Sequence, residues 1–181
     1  MSGKYFVMGC IDYRFDHLVS EYFEAIGQQN NYYYGTVAGS GALAYGYKCF
    51  CKCQCKKNCN PNDKTIALFK DNLQTNLDIS LTLSPVDTVY LLAHNDCGAM
   101  KAFLPCSGYP DKLGEDNQKE RDIYAKLLEY AKASVLKKNP KQNVRMGVID
   151  YNGTVADWNG KSWIVIYKGP GKDPKALWWN Y

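Results

Sequence analysis

Two short motifs hold the residue types from which a metal centre could be built. "CIDYR", residues 10–14, supplies Cys10, Asp12 and Arg14, and "HNDC", residues 94–97, supplies His94 and Cys97. Two thiolates and one imidazole make a zinc site with three protein ligands, and a fourth position is left for water. Asp12 and Arg14 are two apart, so in an extended segment their side chains leave on the same side. A carboxylate there can orient the water, and the arginine can hold that carboxylate ionised with a two-pronged hydrogen bond. Zinc lowers the pKa of such a water toward about 7, which gives a hydroxide able to attack a small apolar substrate at neutral pH. A second reading stays open beside this one: a lone buried cysteine is usually an inert core residue, and Asp–Arg a surface ion pair.

The five residues meet only if both motifs end neighbouring parallel strands, because ligand sites in open parallel sheets lie outside the carboxyl ends of the strands. The hydrophobic pattern offers such strands. Residues 4–9, "KYFVMG", predict a first strand running into Cys10, and residues 87–93, "DTVYLLA", predict one buried on both faces and running into His94. Between them, "DHLVSEYFEAIG" predicts a helix with Leu18, Val19, Tyr22, Phe23 and Ile26 inward, capped by Asp16 and stopped at Gly27. Residues 32–37 predict a second strand, and "AGSGALAYG" after it reads as a small-residue turn. Helices are expected over 65–84, in the second half of "HNDCGAMKAF", and over 118–138. Two late strands, "NVRMGVID" and "SWIVIYK", flank "YNGTVADWNG", which reads as a turn. Strands alternating with helices imply one α/β domain over residues 1–181, with a mainly parallel central sheet flanked by helices.

The bulk composition narrows the partners. A net charge of +4 on 181 residues, with the basic residues scattered, makes no electrostatic case for nucleic acid. No stretch approaches the roughly 20 apolar residues of a membrane span, and "MSGKYFVMGC" is too short and too quickly polar for a secretory signal. Eight cysteines without an export signal suit a reducing compartment, so a cytoplasmic location is expected.

"CIDYR" followed far downstream by "HNDCG" resembles the signature of the β-class carbonic anhydrases, Cys-x-Asp-x-Arg and His-x-x-Cys-Gly. "VAGS" at 37–40 and "VIDYNGTV" extend the likeness, which spreads over most of residues 4–167. The resemblance implies zinc on Cys10, His94 and Cys97, with Asp12 and Arg14 as the catalytic dyad. It implies that the Ala38–Gly39 backbone lies near the substrate and that the reaction is reversible hydration of carbon dioxide to bicarbonate. It also implies a homodimer or higher homo-oligomer, and a resting state in which Asp12 leaves Arg14 to become a fourth ligand. Thr36 and Val37 stand where the family usually has Arg-Asn. Related enzymes of this fold hydrolyse carbon disulfide or carbonyl sulfide with the same ligand set. His17, the other histidine of the chain, is a candidate proton shuttle or a plain surface residue.

"KCFCKCQCKKNC", residues 48–59, places Cys49, Cys51, Cys53, Cys55 and Cys59 in one basic stretch that looks inserted or altered relative to the family core. In an extended segment the first four would share a face. A second metal site, disulfides and free thiols all remain open for it, and a non-catalytic metal-buffering or thiol protein is the corresponding functional alternative. Trp178, Trp179 and Tyr181 near the C-terminus are expected to pack on the domain itself or in a subunit interface.

Overall fold

The computed structural model describes residues 4–55, 63–171 and 178–179, apart from the Cys55 side chain. Its six strands form one sheet: β1 (Tyr5–Cys10), β2 (Tyr32–Val37), β3 (Thr88–His94), β4 (Asn143–Ile149), β5 (Val155–Trp158) and β6 (Trp163–Tyr167). They lie in the order β2-β1-β3-β4-β5-β6. The first four run parallel, while β5 and β6 are added antiparallel. The chain is therefore a single-domain α/β fold with a mixed sheet whose centre is parallel. β5 falls inside the segment whose composition suggests only a turn. Four residues flanked by Gly153 and Gly160 are too short to show a period, and pairing with β4 is what makes them a strand.

Alternation along the strands sorts side chains between two cores. Val7, Tyr90, Leu92 and Ile149 face the layer formed by α1 (Asp16–Ala25), against Leu18, Val19, Tyr22 and Phe23. Phe6, Met8, Val89, Leu91 and Met146 face the larger layer of α2 (Ser40–Phe50), α3 (Lys64–Leu83) and α5 (Asn117–Lys138). With helices on both faces, every residue of β3 is buried, which is why it reads as an unbroken apolar run. Asp16 stands in the first turn of α1 and does not cap it; Phe15 occupies the cap position. Asp63 does cap α3, its side chain accepting from the Thr65 and Ile66 amides.

The largest departure from sequence expectation is α2. Its glycines suggest a turn, yet residues 40–50 are helical after a left-handed Gly39 at φ 78°. Helix propensity loses here to packing. A Cβ on Gly46 would sit 2.4 Å from the Leu127 carbonyl oxygen of α5, so the glycine permits an approach that other residues would block.

The cysteine stretch is likewise not extended. It begins in the last turn of α2 and continues as a π-turn over Cys51–Cys55. Trp178 and Trp179 are buried in the larger core against Tyr124 and Trp163, so the expected aromatic packing is within the domain; Tyr181 lies outside the described residues. Among the described residues, no helix is long and apolar enough to cross a membrane.

Candidate metal centre

β1 and β3 are hydrogen-bonded neighbours and parallel, so Cys10 and His94 leave the sheet side by side at its carboxyl edge. Alternation then divides them. Cys10 continues the row of Phe6 and Met8, whereas His94 continues that of Tyr90 and Leu92 and stacks on Phe15 at 4.1 Å between ring centroids. The loop after β3 turns through Asp96, whose φ is 54°, and returns Cys97 to the cluster as the cap of α4 (Gly98–Phe103). The ligand atoms of Cys10, His94 and Cys97 lie within 4.8 Å of one another. All three residues are buried, at 6%, 2% and 2% exposure.

Their surroundings suit a metal. The His94 Nδ1 lies 2.8 Å from the Asn95 carbonyl oxygen, which as an acceptor fixes that nitrogen as the protonated one. The lone pair of Nε2 is thereby free for a ligand, and that buried atom has no hydrogen-bond partner. A buried orphan nitrogen costs stability unless something satisfies it. The Cys97 thiol donates toward Cys10, which together with the Gly39 amide pulls the Cys10 thiol far below its ordinary pKa against the opposing effect of burial. The same contact, with burial, pushes the Cys97 thiol up. Two soft sulfurs and one imidazole nitrogen this close together could hold a metal ion.

Asp12 and Arg14 sit at the mouth. The segment is a turn, not extended: the Phe15 amide donates to the Asp12 carbonyl at 3.1 Å, and the Arg14 amide donates to Asp12 Oδ1 at 3.2 Å. The turn still brings the two side chains together. Arg14 Nε donates to Oδ1 at 2.8 Å and Nη2 to Oδ2 at 2.5 Å. This fork holds the Asp12 carboxyl below the usual carboxylate range. Oδ2 also lies 3.9 Å from His94 Nε2, so the paired carboxylate borders the cluster without leaving the arginine.

The remaining candidates divide. Ala38 lines a cavity of about 480 Å³ with Cys10, Asp12, Arg14, Cys97 and Gly98. The Gly39 amide donates to Cys10 Sγ at 3.3 Å. His17 is exposed on α1. Cys49 and Cys53 are exposed free thiols, and Cys51 is buried. Among the described residues, no group of three metal-binding side chains forms other than Cys10, His94 and Cys97. Cys59 and the Cys55 side chain lie outside what is described. Cys106 is disulfide-bonded.

Sequence reading missed the partners that shape the site. Phe15 covers His94, and the Tyr151 ring lies 5.0 Å beneath the Arg14 guanidinium. Tyr151 also donates its hydroxyl to Asp96, which pairs with Lys101 at 2.6 Å. Glu120 left a signal: it falls on the same face of α5 as Ile123, Tyr124 and Leu127, a carboxylate in an apolar stripe.

No family model matches the sequence, and no curated protein matches it. Among solved structures, the chain is similar to that of the beta-carbonic anhydrase CcaA, with a TM-score of 0.54 at 12% identity over 90% of this chain and 83% of that one. At that identity the likeness is one of fold, a single α/β domain of this architecture.

Proposed function

We propose that this protein is a zinc enzyme that reversibly hydrates carbon dioxide to bicarbonate and a proton. The observation that carries the reading is the buried Cys10–His94–Cys97 group with the Arg14-held carboxylate of Asp12 at its edge. Zinc, when bound there, supplies Lewis acidity and a water acidic enough to act as nucleophile near neutral pH.

The chain's own residues do the rest. Asp12, ionised and acceptor-only, takes a hydrogen bond from a water beside the cluster and so fixes where its lone pair points. Arg14 keeps that carboxylate charged and correctly turned, and Tyr151 supports the guanidinium from below. The Gly39 amide and the Cys97 contact favour the thiolate form of Cys10 that a metal requires. Ala38, Gly98 and Ala99 give the cavity wall small side chains beside the cluster, which suits a small uncharged substrate.

The test is stopped-flow hydration of carbon dioxide by the zinc-loaded protein, with carbonyl sulfide and carbon disulfide assayed in parallel. Asp12→Asn should keep one zinc per chain and lose at least about 100-fold in rate. A wild-type rate equal to that of buffer would sink the reading; loss of zinc in Asp12→Asn would make Asp12 a ligand.

A further inference from the structure

Behind the loop that carries His94 and Cys97 lies a buried polar network the proposed chemistry does not use. Glu120 is 3% exposed and sits on the first turn of α5. It accepts from three donors, none of them a cation: the Tyr109 hydroxyl, the Asp96 amide at 2.6 Å and the Trp178 indole N–H at 2.5 Å. Tyr109 in turn accepts from the Cys97 amide at 3.1 Å. Tyr124, one turn along α5, donates to the His94 carbonyl oxygen at 2.5 Å, and its hydroxyl lies 3.1 Å from that of Tyr109.

Three backbone groups in four residues are thus taken up by one network: the His94 carbonyl, the Asp96 amide and the Cys97 amide. The loop needs such help, because Asp96 is held at a positive φ that a non-glycine residue rarely adopts. A carboxylate in an apolar layer is costly unless its hydrogen bonds are all made, so each lost donor leaves a buried acceptor unsatisfied. Trp178 is fixed to match. Its carbonyl accepts from Arg121, its amide donates to Asp150, and its ring packs edge-on to Tyr124.

We propose that Glu120 is a positioning residue for the 94–97 loop, that it sets the geometry in which His94 and Cys97 face Cys10, and that the Trp178 indole N–H belongs to the same clamp. The zinc arm of the test rests on the metal reading above; the backbone arm does not.

The experiment compares wild type, Glu120→Gln and Trp178→Phe as full chains. Residue-resolved amide hydrogen exchange is measured on the metal-free protein, and zinc affinity by competition with a chromogenic chelator. Glutamine keeps the size of Glu120 but turns an NH2 toward a donor; phenylalanine keeps an aromatic ring and removes the indole N–H. Exchange at Asp96 and Cys97 should quicken by about tenfold or more in both variants, with β3 and the middle of α5 unchanged. Zinc affinity should fall by about 10–100-fold in Glu120→Gln, and less in Trp178→Phe. Unchanged exchange at 96 and 97, or the same increase throughout β3 and α5, overturns the clamp. Unchanged zinc affinity despite a loosened loop overturns its service to the metal. A wild type that takes up no zinc, with the loop still loosened in the variants, overturns the metal reading and leaves the clamp standing. Should Glu120→Gln fail to fold, Trp178→Phe carries both arms.

Discussion

Two regions of this chain are rich in sulfur, and they behave oppositely. In residues 48–55 cysteines are dense but run along the end of α2 and the π-turn that follows it: Cys49 and Cys53 are exposed, and Cys51 is buried in the core. At the strand ends cysteines are sparse, yet Cys10 and Cys97 come from segments 87 residues apart and meet beside His94 within 4.8 Å. Among the described residues, the first region has proximity in sequence without convergence. The second has convergence, burial, an orphan imidazole nitrogen and a forked carboxylate. Convergence of lone pairs is what a metal reads, so a motif's density is a poor guide to its chemistry.

The sharpest way to break that comparison is to remove one ligand on the convergent side. Cys97→Ala should abolish stoichiometric zinc binding, by elemental analysis, and all hydration activity with it, since two ligands do not hold a structural or catalytic zinc. Retention of one zinc per chain in that variant would move the metal elsewhere, the cysteine stretch first.

A smaller effect is expected from Arg14→Lys, which preserves charge but replaces a two-pronged fork by a point donor. Hydration should fall about tenfold with zinc retained. The pH profile sharpens the point. Because Arg14 lowers the folded-state pKa of Asp12, the pair stabilises the fold above the ordinary aspartate range and that contribution is lost as pH falls through the lowered value. The acid-dependent loss of stability should therefore be smaller in Arg14→Lys than in wild type. Identical acid profiles would show that the fork contributes nothing to the folded state.

The smallest effect belongs to the dense region. Cys49→Ser with Cys53→Ser should leave zinc stoichiometry and hydration unchanged and shift unfolding by no more than about 0.5 kcal/mol, as exposed positions do. In the wild type those two thiols should react with iodoacetamide well before Cys10 and Cys97. Loss of a second zinc on their replacement would restore a metal role to the stretch.

Much of the parallel core was legible from residues alone. β2 falls on the expected residues, and β1 and β3 within one residue at each end; β3, covered on both faces, writes an unbroken apolar run. α2 was not legible, since its glycines signal a turn locally and only their fit against α5 and the sheet makes them helical. β5 was not, because four residues show no period. Asp12 and Arg14 pair by type and spacing, although a turn and not an extended segment joins them. Glu120 stood out only as a charge in an apolar stripe; its partners Tyr109 and Trp178 carry no local mark.

By itself, then, the sequence determined the donor set, two thiols, an imidazole and a carboxylate–arginine pair, because those properties belong to side-chain chemistry and short spacing. It also determined that Cys10 and His94 end strands, since hydrophobic period is local. Only the tertiary structure decided that β1 and β3 are adjacent and parallel, that Asp96 turns Cys97 back to the cluster, and that Glu120 holds that turn from behind. Those are long-range facts: loop closure and layer packing select them, and no window of sequence contains both sides of the contact.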